Sequence, residues 1–141
     1  FLLDKEYSRK TSEATIKSWI YALAEKGPRM VIITSVPFQT EKEISSVIAY
    51  DRDDGRFWKV NCSYIPAYYP GTGDIFTSVI VGSILQGDSL PIALDRAVQF
   101  ISIAIRSTFG HNFPRRDGVL LEKVLPNLRA PVVISTYEMM E

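Results

Sequence analysis

The stretch YIPAYYPGTGDIFTSVIVGSILQGDS, residues 64–89, sets two glycines around a threonine and follows them at once with an aspartate. An apolar run comes next. Ile75, Phe76, Val79, Ile80, Ser83 and Ile84 recur at helical spacing, on most sides of a helix that ends near Gly87. A helix that is apolar nearly all round belongs in the body of a protein. Its start exposes unpaired backbone N–H groups and the positive end of the helix dipole, which together favour an anion. Glycines at 71 and 73 let an anion come close to the backbone. Asp74 then poses a problem, because a carboxylate repels a phosphate. It is either a helix cap, worth about 1 kcal/mol, or a group with chemistry to do, such as taking a proton from a hydroxyl that attacks phosphorus. On four residues alone, the cap is the simpler reading.

The surroundings shift that balance. Upstream, Ile16, Trp19, Ile20 and Leu23 predict a helix over Thr11–Lys26, capped by Thr11 or Ser12 and stopped by Gly27–Pro28. Met30–Val36, "MVIITSV", is a short, continuous, β-branched run that predicts an interior strand. "EISSVIAYD" and "RFWKVNCSY" read as a β-hairpin turned by Asp53–Gly55. Downstream, Ser89 and Pro91 open a third helix carrying Ala93, Leu94, Ala97, Val98, Ile101 and Ile105. Residues 107–118 read as a loop, "VLLEKVL" as a short helix halted at Pro126, and "APVVISTYEMME" as a last strand or extended tail. Helices alternating with strands predict an α/β fold of three layers, with helices Thr11–Lys26 and Thr72–Gln86 packed on the sheet. The tetrad's helix would then start at the sheet edge, where such folds place ligands.

Composition narrows the classes. Apolar residues make up 46% and charged residues 23% of 141, which suits one globular domain or part of a larger one. Lys+Arg and Asp+Glu are 16 each, so net charge gives no case for nucleic acid or an acidic membrane surface. A single cysteine, Cys62, forms no internal disulfide and no zinc cluster. No apolar run reaches a membrane span, and without a visible signal peptide a cytoplasmic location is the default expectation. "FLLDKEY" opens in mid-run without methionine and reads as a chain that has lost an N-terminal part. The P-loop and dinucleotide fingerprints are absent.

"GTGDIF" before an apolar helix, "QGDSLPIALDRAVQFI", and the strand "MVIITSVP" together resemble the pyridoxal (pyridoxamine) kinases of the ribokinase superfamily. The resemblance runs from Phe1 to about Leu128 and covers the C-terminal, nucleotide-binding half of that family's single domain. It implies a ribokinase-like α/β/α fold and ATP-dependent phosphorylation of the 5′-hydroxymethyl group of pyridoxal, pyridoxine or pyridoxamine. By the same resemblance Asp74 matches the catalytic base. The backbone of Gly71, Thr72 and Gly73 matches the anion hole for the transferring phosphoryl group. Thr34 and Ser35 match residues near the ATP phosphates. Ile65 and Ile105 match positions that sandwich the adenine, and Tyr69 matches a bulky residue just before the anion hole. Some members carry a cysteine where this chain has Asp74, so the aspartate places it outside that subgroup.

The resemblance further implies ATP and Mg²⁺, admits a monovalent cation, and implies a homodimer in the whole protein. The family's Asn-x-x-Glu motif for Mg²⁺, and most of the pocket for the pyridine ring, would lie upstream of Phe1. No metal ligand is assigned within this chain, and the fragment alone is expected to be inactive. Other readings stay open: a ribokinase-like kinase for hydroxymethylpyrimidine or a sugar, or an inactive nucleotide-binding module. His111 reads as a solvated loop residue, Cys62 as a small core residue, and "PRRDG" (114–118) as a solvated loop within conceivable reach of a phosphate. "SYIPAYY" reads equally as an adenine wall or a packed loop.

Overall fold

A computed structural model of the chain describes residues 2–4, 11–36, 44–63, 67–132 and 136–141. The chain divides into two compact units, residues 1–63 with 138–141, and residues 64–137. The fold class is α/β, with four helices and a four-stranded sheet among the described residues.

In the first unit, helix α1 spans Glu13–Ala24. Ser12 is its N-cap and accepts a hydrogen bond from the Thr15 amide, so Ser12 takes the capping role rather than Thr11. Strands β1 (Met30–Val36), β2 (Ile44–Asp51) and β3 (Arg56–Ser63) follow. Both β1–β2 and β2–β3 are antiparallel. The expected hairpin is present: Gly55 takes φ 68, and the Asp51 and Asp54 carboxylates accept the amides of Asp53 and Arg56. Ile16, Ile20 and Ala24 of α1 pack with Val31 and Val36 of β1, Ile48 and Tyr50 of β2 and Phe57 of β3. Ile20 is fully buried, a burial worth roughly 1.5–3 kcal/mol. Tyr50 and Phe57 face each other across the hairpin with ring centroids 4.5 Å apart, and Tyr21 meets both edge-on at 5.1 Å.

Met30–Val36 is a strand as predicted, and among the described residues the strands with two neighbours are β2 and β3. Among the described residues the sheet order is β1-β2-β3-β4, with β4 at Tyr137–Met140, so β1 pairs there with β2 alone. Its apolar run is buried at Val31 and Val36 and half-buried at 30, 32 and 33. By contrast β2 is buried at every position from Ser46 to Tyr50, so both of its faces are covered. A continuous apolar run identified a strand here but not its rank in the sheet.

In the second unit, α2 spans Thr72–Leu85 and α3 spans Leu90–Phe109. They pack along Phe76, Val79 and Ile80 on α2 and the small and branched residues Ala93, Leu94, Ala97 and Val98 on α3. Gly87, at φ 95, ends α2 with a paired stop: its amide donates to the Ile84 carbonyl and that of Asp88 to Ser83. Burial all round α2 is not realised, since Val81 and Leu85 are exposed. The expected loop at 107–118 begins later, because α3 continues to Phe109, and it contains a 3-10 turn at Arg115–Asp117. The short helix α4 (Leu121–Val124) ends just before Pro126, as expected. Proline suits a first helical turn, and the chain goes on as a 3-10 turn over Leu125–Arg129.

Candidate active site

Gly71 is the N-cap of α2 and takes φ 82, ψ −6, a left-handed conformation that only glycine adopts freely. The first backbone bond of the helix is from the Ile75 amide to the Gly71 carbonyl, 3.0 Å. The amides of Thr72, Gly73 and Asp74 therefore precede the hydrogen-bond ladder and are the orphan donors of the helix start. Nothing lies within 4 Å of where a Cβ would stand on Gly71 or Gly73. A pair of glycines thus leaves open space directly against those donors, which is what an oxyanion needs.

The turn is held in place from below. The Thr72 hydroxyl donates to the Tyr69 carbonyl at 3.1 Å, and Tyr69 is 5% exposed. Tyr69 therefore anchors the turn as a packed residue, which resolves that part of the aromatic segment toward packing. Ile65 lies outside the described residues.

Asp74 is the third residue of α2, exposed, and not the cap. The cap position is Gly71, which has no side chain to cap with, and the Asp74 carboxylate has no hydrogen-bond or ion-pair partner among the described residues. Behind it, the Ser78 hydroxyl returns to the Asp74 carbonyl at 2.8 Å and that of Thr77 to Gly73 at 3.0 Å. A free carboxylate beside free amide donors is an acceptor for a proton next to a seat for an anion. The same side of α2 borders a groove of about 360 Å³, where Asp74 and Ser78 face Phe100 of α3 and Leu121 and Leu125. Arg96, also on that groove, is tied to Asp88 at 3.3 Å and to the carbonyls of Leu128 and Ala130. Ile105 is half-buried on α3 in the same unit.

Thr34 and Ser35 belong to the first unit and are exposed at the end of β1. The β1–β2 register shifts between Ile33 and Val36, and Ser35 takes φ 58. A non-glycine residue in the left-handed region costs about 1–2 kcal/mol, and such bulges gather at functional sites. Sequence reasoning chose these two residues without seeing the bulge, because a Thr-Ser pair inside a strand carries no turn signal.

Of the other residues weighed, His111 is exposed and lies 5.9 Å from the ring of Phe113. Cys62 is half-buried rather than a core residue, and burial pushes its thiol up from 9.0 to about 11. Among the described residues no group of three or more His, Cys, Asp or Glu could hold a metal ion, and no helix is long and apolar enough to cross a membrane. Sequence reasoning missed Asp95, which is fully buried on α3. Its carboxylate accepts the Thr136 hydroxyl at 2.7 Å and the Thr136 amide at 3.1 Å.

A search of curated proteins returns no match. Two crystal forms of a Bacteroides thetaiotaomicron protein, provisionally named phosphomethylpyrimidine kinase, superpose with a TM-score of 0.93. They are 53% and 54% identical over 99% of this chain, and the second was solved with pyridoxal. The chain spans about half of their length, 47% and 49%. The pyridoxal kinase of Leishmania donovani, solved with ADP and pyridoxine, shares the fold at a TM-score of 0.79 and 16% identity, over 93% of this chain and 45% of that one. A phosphomethylpyrimidine kinase family profile matches residues 2–117. The glycine turn and free carboxylate of α2 fall inside that match, and the chain belongs to the phosphomethylpyrimidine kinase family.

Proposed function

We propose that the protein carrying this chain transfers the γ-phosphoryl group of ATP to the hydroxymethyl group of a B6 vitamer: pyridoxal, pyridoxine or pyridoxamine. The observation that carries this reading is Asp74, a carboxylate free of capping duty on an open helix start. The substrate class is favoured by the relative that shares 54% identity and was solved with pyridoxal.

In this reading the Asp74 carboxylate accepts the hydroxyl proton as the oxygen attacks phosphorus. The amides of Thr72, Gly73 and Asp74 receive the negative charge that gathers on the phosphoryl oxygens. The transfer is direct and in line, with no covalent enzyme intermediate, so positioning and charge stabilisation supply the rate. The resemblance assigns Thr34 and Ser35 to the ATP phosphates and Ile105 to the adenine, and Tyr69 fixes the turn that carries the anion site. Mg²⁺ bound with ATP would neutralise charge on the phosphates, and this chain assigns it no ligand cluster among the described residues. The whole protein works as a homodimer in the cytoplasm.

Hydroxymethylpyrimidine is the second reading, and the family profile favours it. A coupled ADP-release assay on the full-length protein, run across the three vitamers, hydroxymethylpyrimidine and a sugar panel, separates the two. The proposal expects the highest kcat/KM for a vitamer. A higher value for hydroxymethylpyrimidine overturns the substrate, and no turnover with any alcohol overturns the kinase.

A further inference from the structure

The turn that carries the anion site is also gripped from outside, by a residue that takes no part in the chemistry. Gly118 follows the 3-10 turn at Arg115–Asp117 and takes φ 78, ψ −158, a conformation essentially reserved for glycine. Of the glycines in the chain, it is the one whose added Cβ would meet something. That atom would stand 3.3 Å from the carbonyl oxygen of Pro70, and the carbonyl would have to give by a few tenths of an ångström. Pro70 is the residue immediately before Gly71.

The segment cannot simply retreat from such a contact. Two residues on, the Leu120 amide donates to the Thr108 hydroxyl at 2.9 Å. That hydroxyl is 1% exposed and itself donates to the Ala104 carbonyl within α3 at 2.8 Å. On the other side of the turn, Thr72 is bound to the Tyr69 carbonyl, and Tyr69 is buried. Pro70 is therefore held between two anchored segments.

We propose that Gly118 is a positioning residue for the anion site. The absence of a side chain there sets the place of the Pro70 carbonyl, and with it the direction of the amides from Gly71 onward. The inference rests on the kinase reading above.

Gly118→Ala and Gly87→Ala, compared in the full-length protein, test it. Gly87 has a positive φ of 95, so alanine strains the backbone there too, but its added Cβ meets nothing within 4 Å. Both variants are expected to lose thermal stability. Gly118→Ala is expected to lower kcat by about 10–100-fold, the scale of a sub-ångström misplacement, with KM for the alcohol little changed. Gly87→Ala is expected to keep kcat within about twofold of wild type. Equal kcat for the two variants overturns the proposal.

If Gly118→Ala does not fold, the anchor decides. Thr108→Val removes the acceptor for Leu120 without adding bulk, and Thr108→Ser keeps it. A kcat loss in the valine variant that serine restores supports the proposal, and equal kcat values refute it. Amide nitrogen and proton shifts of Gly71 and Gly73 give a readout independent of turnover. They should move in Gly118→Ala, or in Thr108→Val if alanine does not fold, and stay in Gly87→Ala. A wild-type protein that phosphorylates no alcohol defeats the kinase reading alone. These shifts then settle Gly118: unmoved signals overturn it.

Discussion

Replacing Asp74 by asparagine in the full-length protein separates a catalytic carboxylate from a structural one. The side chain keeps its shape and loses its charge. Asp74 is exposed at the third position of α2 and makes no capping bond, so the folded state loses only the attraction between that charge and the helix dipole. That term is about 0.3–1 kcal/mol, which for a protein of this size moves Tm by no more than roughly 2–4 °C. The kinetic loss is on another scale. Removing a general base costs about 10²–10⁴-fold in rate, equivalent to about 2.7–5.4 kcal/mol of barrier. ATP affinity should not fall, since a negative charge beside a phosphate seat opposes binding. Coupled ADP release gives kcat, calorimetry gives the ATP Kd, and a melting curve reports the fold. A folded variant whose kcat stays within about threefold of wild type would refute the argument. Asp74 would then be a dipole-matched surface residue, and the phosphoryl-transfer mechanism would lose its base.

Ser35→Gly should raise Tm, because glycine relieves a left-handed cost of about 1–2 kcal/mol against an added unfolded-state entropy of about 0.5–1 kcal/mol. If the Ser35 hydroxyl serves the nucleotide, ATP affinity falls in the same variant, and a lower Tm would show that the bulge needs serine for its fold. Asp95→Ala should cost roughly 2–3 kcal/mol in urea unfolding, because the Thr136 amide and hydroxyl lose a charged acceptor. Thr136→Val should cost about half of that, since the amide bond to Asp95 remains. A value near zero for Asp95→Ala would mean that water replaces the carboxylate. Cys62 should react slowly with iodoacetamide at about pH 8 in the folded protein and quickly in denaturant. Burial raises its thiol from 9.0 to about 11. In that window the unfolded chain binds fewer protons than the folded one, so stability is whole below pH 9.0 and declines as pH rises toward about 11. Stability that rises over this range would contradict the assigned burial.

The local features were legible, and the long-range ones were not. Asp53–Gly55 announced its hairpin, Gly87 its helix stop and Gly71–Asp74 its open helix start, because each is set by a few adjacent residues with special backbone or capping chemistry. The family resemblance was legible for the same reason, because adjacent residues carry it. The pairing of β1 with β2 alone among the described residues was not legible, since an apolar strand looks alike whether one neighbour or two will pair with it. Pro126 was legible as the end of an α-helix, while the 3-10 turn that it opens was not. The burial of Asp95 depends on Thr136, a residue far along the chain that no local pattern around Asp95 announces. Gly118 looked like a turn glycine, and its contact with Pro70 exists only in the folded chain.

The order of the sheet also sets an order of assembly. Strands β1, β2 and β3 are neighbours in sequence as well as in space, so they can pair while the chain is still being made. The fourth strand cannot. It is the last described element of the chain, and it joins the β3 side only after α2, α3 and α4 have been synthesised. During that interval β3 presents an unpaired edge next to the hydrophobic core that Met140 will later pack against. An open edge of this kind is a template for pairing with other chains. A chain truncated before Tyr137 should therefore precipitate more readily during expression than one that carries β4, with the residues of the helix α2 turn intact in both.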